Sequence, residues 1–271
     1  MGSSPLAFPD FKGATRRLIL INLATYFALL IASLAFSEGT AHVVGRMMFD
    51  PSAFLHGDLW QPLTYSFVHP GLLSTLFELL SLWFLAGFLE NFHNANWVMG
   101  LYAVSVLGTA AAALALYAVS STLAPSLLAN PIALYGCFGG IFGLLAAIGL
   151  LYGDTQFMLF PLPIGIKARY LVVIYALIAV AMLFGSERMY AFAQLGGALA
   201  GLLFVRMAPR HGVSFVFSEG WYGLRNRYYR WKRRRAARKF EVYMRSQGRT
   251  VKFDGQGRLI DEDSDDKKRW N

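Results

Sequence analysis

The chain reads as an all-α membrane protein of six spanning helices with a structured first external loop and a basic tail. Three observations predict this. Of the 271 residues, 56% are apolar and only 15% are charged, against about a quarter charged in a soluble domain. Mean hydropathy is +0.44. The apolar residues gather into six runs near the length of about 20 that a bilayer crossing needs.

The runs lie at residues 18–36, 72–90, 97–119, 134–152, 170–184 and 190–207, with Gly185 closing the fifth and Pro209 stopping the sixth. Lys and Arg placement orients them. Lys12, Arg16 and Arg17 precede the first run, Lys167 and Arg169 the fifth, and Arg206 and Arg210 close the sixth. All fall on one side of an even-numbered topology, so both termini are expected in the cytoplasm. The opposite loops carry only Arg46 and Arg188, and loop 119–133 has no charge. Three regions follow: an N-terminal segment 1–15, a transmembrane domain 16–208 and a cytoplasmic extension 209–271.

Segment 37–70 is rich in apolar and aromatic residues, including Met47, Phe49, Phe54, Trp60, Tyr65 and Phe67. It reads as a folded insertion at the outer interface, a depth that suits Trp60 and Tyr65. Gly139 with Gly143, and Gly197 with Gly201, are small-xxx-small pairs that let helix backbones approach. They predict that the fourth and sixth helices are neighbours.

Glu78 lies mid-span. A carboxylate there is costly by about 2.5–3.5 kcal/mol on insertion scales, so it is expected to face the bundle interior with a partner. Cys137 is the chain's one cysteine, which excludes an internal disulfide and a cysteine metal cluster. No metal site or cofactor is expected, and His69 reads as a loop residue contacting the start of the second helix.

The tail between Arg225 and Lys239 holds Arg225, Arg227, Arg230, Lys232, Arg233, Arg234, Arg235, Arg238 and Lys239 without an acid, interleaved with Tyr228, Tyr229 and Trp231. Close behind a span, such a run attracts anionic lipid at about 1 kcal/mol per residue. Nucleic-acid binding is the less favoured reading. Residues 250–260 suggest a strand, a turn and a second strand.

Together these features resemble the rhomboid family of intramembrane serine proteases. Gly57-Asp58-Leu59-Trp60-Gln61 resembles the family's G-x-x-W-R, with Gln61 in the arginine's place. His69, Ser74 and Glu78 fall at the spacing of H-x4-H-x3-N, and Gly87 with Glu90 resembles the close of that helix. Gly136-Cys137-Phe138-Gly139, continuing to Gly143, is similar to the nucleophile segment G-x-S-G-x-x-x-G. Ala193-Gln194-Leu195-Gly196-Gly197 is similar to A-H-x-G-G.

The resemblance implies a serine–histidine dyad whose nucleophile position holds Phe138 and whose base position holds Gln194. Its oxyanion positions hold Ser74 and Glu78. Phenylalanine has no hydroxyl, and an amide does not titrate. The residues that serve architecture (the glycines, Trp60, His69 and Glu90) are kept.

The expectation is therefore an inactive member, a pseudoprotease. Phe138 and Phe142, one turn apart, would fill the former catalytic space. Glu78 either pairs with Gln194 or points into an outer water-filled cavity. Cys137 as a displaced nucleophile lacks a base on the fourth to sixth helices.

Transmembrane segments of client proteins are the expected partners, with oligomeric state left open. The alternatives are an active peptidase using displaced residues and a membrane anchor for a lipid- or RNA-binding tail. The compact six-span core suggests a bacterial inner membrane.

Overall fold

The structure, a computed structural model, describes residues 9–123, 133–159, 164–185 and 188–207, and in the tail 226, 228–232, 235–237, 240–241 and 243–248. The chain divides into two units, Met1–Val213 and Ser214–Asn271.

Every expected run is helical in the first unit. The long apolar helices are α1 (Gly13–Ala35), α5 (Leu72–Glu90), α6 (Ala95–Leu123), α7 (Phe138–Tyr152), α8 (Ala168–Met182) and α9 (Arg188–Met207). Four of them, α1, α5, α6 and α9, are long and apolar enough to cross a membrane. The other two, α7 and α8, have 15 residues each. They span about 22 Å at 1.5 Å per residue, short of a hydrocarbon core of about 30 Å. The expected six full-length spans are thus four long helices and two short ones.

Helix α7 starts four residues later than its hydropathy suggests, because Leu134 pairs with Phe49 and Gly136 turns through the left-handed region. Leu134 and Phe49 exchange backbone hydrogen bonds of 2.9 and 3.0 Å. Segment 37–70 is folded, as expected, into α2 (Ser37–Met47), α3 (Pro51–Leu55), α4 (Gln61–Thr64) and a 3₁₀ turn, Tyr65–Phe67. One feature departs from an all-α chain. Strands β1 (Gln156–Leu159) and β2 (Ile164–Lys167) form an antiparallel hairpin before α8.

The core is centred on α7, in which every residue from Gly139 to Ile148 is buried. Helices α5, α6, α8 and α9 surround it. Between α7 and α9 the backbones nearly touch, and a Cβ on Gly201 would lie 2.7 Å from Gly143 Cα. A Cβ on Gly143 would meet Ser105 Oγ on α6 at 1.8 Å, and one on Gly197 would meet Gly139 O at 2.7 Å. Hydrophobicity alone does not hold helices together in lipid, so backbone approach of this kind supplies dispersion contact. Helix α1 is mostly exposed, with Leu18, Asn22 and Tyr26 among its buried residues.

In the second unit, the described positions between 226 and 246 are helical. Tyr228, Trp231, Phe240 and Tyr243 are exposed, and the Arg235 guanidinium lies 5.4 Å from the Trp231 ring centroid. Arg230 and Lys232 are exposed too. Arg225, Arg227, Arg233, Arg234, Arg238, Lys239 and the expected strands at 250–260 lie outside the described residues.

Candidate functional site

The site forms where the extended segment turns into α7. Gly136 has φ +79°, a left-handed conformation that glycine adopts without a Cβ clash. Its N–H donates to Val68 O at 2.8 Å and Tyr65 O at 3.1 Å. Space demands glycine as well, since a Cβ here would sit 2.7 Å from Glu78 Oε2. The next residue, Cys137, then presents its backbone N–H to Glu78 Oε2 at 2.9 Å and its Sγ at 3.4 Å. A helix start has unpaired N–H groups and a partial positive charge. Glu78, reaching from α5, satisfies both for α7.

Glu78 has a second partner. His69 Nδ1 approaches Oε2 at 3.2 Å, and the two side chains are 0% and 2% exposed. The other ring nitrogen, Nε2, faces Asn22 Oδ1 on α1 at 2.9 Å. Asn22 in turn donates from Nδ2 to Leu18 O at 2.7 Å. His69 Nδ1 has no hydrogen-bond partner among the described residues, so two buried polar stretches, Leu18–Asn22–His69 and Glu78–Cys137, meet at that 3.2 Å approach.

This geometry corrects one expectation. Glu78 neither pairs with Gln194 nor points into a water-filled cavity, because it is buried and accepts from the α7 terminus at Cys137 N. Cys137 has Glu78 of α5 against its Sγ. Its thiol is nevertheless fully buried.

The positions that resemble a dyad lie on the other side of α7. The half-buried Phe138 ring meets Tyr190 on α9 edge-on, with centroids 6.5 Å apart. Phe142 is buried and meets Tyr175 on α8 at 6.1 Å, also edge-on. Gln194 is buried one turn from Tyr190, and the two line the same gap. Tyr190 donates to Tyr135 O at 2.8 Å. The gap lined by Tyr65, Thr109, Gly139, Tyr190 and Gln194 has an empty volume of about 170 Å³ and no room for a water. At its edge Tyr65 donates to Val106 O at 2.8 Å. Burial pushes the Tyr65 phenol well above its ordinary range, so it acts as a neutral donor.

The remaining expected residues separate. Ser74 is exposed and donates to Gly71 O at 2.9 Å. It is not on the Glu78 face, as the one-turn spacing suggested, and Thr75 is buried there instead. Trp60 is half-exposed in the insertion and donates from Nε1 to Arg46 O at 3.0 Å. Arg46 lies 5.2 Å from the Trp60 centroid and pairs with Asp58, while the buried Gln61 amide oxygen accepts from Asp50 N at 3.0 Å.

Glu90 caps a helix from a distance as Glu78 does. It accepts from Ala14 N at 2.8 Å, Thr15 N at 3.1 Å and Thr15 Oγ1 at 2.7 Å, at the start of α1. Sequence reasoning missed Asn22 and Tyr190. An amide in the middle of an apolar run was the available signal for Asn22. Nothing in the sequence marks out Tyr190 among the thirteen tyrosines.

No curated protein matches this chain. The model of a family described as eukaryotic integral membrane proteins, DUF1751, matches residues 18–219. That description conflicts with the bacterial inner membrane expected from the compact core. The match takes in α1 from Leu18 onward, the other five apolar helices whole, and both Glu78 and Glu90, and this chain is an integral membrane protein that belongs to the DUF1751 family.

Proposed function

We propose that the chain is a rhomboid-like pseudoprotease that binds transmembrane segments of client proteins. In this reading α7 and α8 are short spans, the bundle crosses the membrane six times, and both termini are cytoplasmic. The observation that carries it is the aromatic filling around α7. The position resembling the nucleophile holds Phe138 against Tyr190. Gln194 at the base position and Tyr190 line one gap, which admits no water.

Binding has a surface to use. Helices α5 and α8 both pack on α7, and both present exposed apolar side chains. Leu73, Leu76 and Phe77 do so on α5, and Val173, Leu177 and Ile178 on α8. An apolar client helix gains packing against such faces in lipid. The basic tail adds anionic lipid as a second partner.

Photo-crosslinking from position 77 or 177 of the full chain tests the reading. The expected products are transmembrane segments of other proteins, retained when residues 209–271 are deleted. Loss of every partner with the tail would make the bundle an anchor. A second reading, a displaced peptidase, draws on the Cys137 Sγ to Glu78 Oε2 contact of 3.4 Å. Cleavage of a generic transmembrane substrate that is abolished by Cys137→Ala would establish that reading and overturn the first.

A further inference from the structure

A cavity of about 420 Å³ sits where α7 ends and α8 begins, lined by residues 149–155 and by Arg169. Its volume falls in the range of about 300–1,000 Å³ typical of small-molecule sites. Hydrogen bonds fix its level in the bundle. Tyr152, the last residue of α7, meets His93 Nε2 just past α5 at 3.1 Å. Glu90, the last residue of α5, holds Ala14 N at the start of α1. The cavity therefore lies at the end of the bundle that carries Lys12, Arg16 and Arg17. Tyr170, next to Arg169, is exposed, and tyrosine favours the headgroup level of a bilayer. Leu150 and Leu151 in the cavity wall are exposed as well.

Opposite charges meet here. Arg169 pairs with Asp154, and the two side chains are 49% and 79% exposed. Lys167 Nζ lies 3.5 Å from the same oxygen, Asp154 Oδ1. Among the described residues, Oδ2 accepts no hydrogen bond, and Arg169 spends only Nη2 on the pair. The last carbonyls of α7 add the negative end of a helix dipole. An ion pair this exposed is weak, so a ligand can share both partners without breaking a strong contact. The cavity thus offers a cationic side, an anionic side and an apolar wall.

We propose that it binds the headgroup of a phospholipid carrying both a phosphate and a primary ammonium, the ethanolamine class. The phosphate takes the free guanidinium donors of Arg169, whose planar fork suits it, and the Lys167 ammonium. The ligand's ammonium donates to Asp154 Oδ2 and to the end of α7. The acyl chains leave past Leu150 and Leu151. A choline headgroup has the same charges but no N–H to donate, and a glycerol headgroup has no cation, so each satisfies only half of the site. This site is separate from the basic tail and does not depend on client binding.

The test mixes the full chain in detergent with equal amounts of dioleoyl phosphatidylethanolamine, phosphatidylcholine and phosphatidylglycerol. Native mass spectrometry then counts the lipid bound, since the three differ in mass. The expected ratio of ethanolamine to choline lipid is about five, the order that one half-exposed ion pair supplies. Asp154→Asn should bring the ratio to about one, the value without that pair. Arg169→Gln should lower both lipids and leave the phosphatidylglycerol held by the tail. Both side chains are exposed, and a retained monodisperse peak in size-exclusion chromatography shows that the variants fold.

An equal uptake of ethanolamine and choline lipid by the wild type overturns the proposal. So does a preference that survives Asp154→Asn. Loss of phosphatidylglycerol alone in Arg169→Gln also overturns it, since that is the behaviour of a plain anion site.

Discussion

Replacing Glu90 with alanine removes the side-chain cap from the start of α1. The carboxylate accepts three hydrogen bonds at 2.7–3.1 Å from Ala14 and Thr15. Losing an N-cap acceptor costs about 1 kcal/mol. Losing a negative charge at a helix start costs a further 0.3–1 kcal/mol or so. The half-buried setting raises the expected sum to about 2 kcal/mol. That corresponds to a fall in Tm of about 4–8 °C for a bundle of this size.

A graded series sharpens the test. Thr15→Val deletes one bond of the three, and about 1 kcal/mol is expected. Glu90→Gln keeps one acceptor oxygen but sets its NH₂ in place of the other, against Ala14 or Thr15, so it loses the charge and at least one bond and should cost more than Thr15→Val. The assay is thermal unfolding in detergent, followed by the loss of the monodisperse peak in size-exclusion chromatography. Equal Tm for Glu90→Ala and the wild type, or a larger loss in Thr15→Val than in Glu90→Ala, would refute the assignment of Glu90 as the α1 cap.

Three further outcomes follow from the same contacts. Gly201→Ala places a Cβ 2.7 Å from Gly143 Cα, and overpacking two backbones should cost about 1–3 kcal/mol, read as a lower Tm by the same chromatography. Asn22→Leu strips His69 Nε2 of its buried acceptor and should cost about 1–3 kcal/mol, whereas Asn22→Asp keeps an acceptor oxygen and should cost less in denaturant unfolding. The Lys12 ammonium is raised above its ordinary 10.5 by the hydrogen bond and the charge of Asp10. A raised folded value means the contribution is present below the unfolded value and is lost as pH rises through the folded one. Asp10→Asn should bring the amine back toward 10.5 by NMR titration of the ¹³C-methylated lysine.

The apolar segments were legible because lipid imposes a length and a composition on whatever crosses it. Even so, hydropathy placed the start of α7 at residue 134 when the helix begins at Phe138. Leu134 and Cys137 are apolar and buried in either conformation. What sets the boundary is Gly136 in the left-handed region and the two carbonyls waiting for its N–H, neither of which a residue-by-residue scale sees. Glu78 announced that it needed a partner but could not name it, since the partners come from residues 69 and 137 and depend on how three elements meet. Ser74 shows the converse. Spacing put it one turn from Glu78, yet a helix face about 100° wide is decided by its neighbours, and α5 turns Ser74 outward. The glycine contacts between α7 and α9 were readable because small residues at four-residue spacing have few uses in a membrane other than close approach.

The two carboxylates of α5 also order the assembly of the bundle. Glu90 lies 75 residues beyond the Thr15 it caps, and Glu78 lies 59 residues before Cys137. During synthesis α1 emerges with an open first turn that stays open until the whole of α5 has followed it. The start of α7 then arrives to find its acceptor already waiting. Helix α5 is thus the template on which an earlier helix is locked and a later one is received. A chain cut before residue 90 carries α1 without its lock, which makes truncation just before and just after Glu90 a direct probe of when α1 becomes fixed.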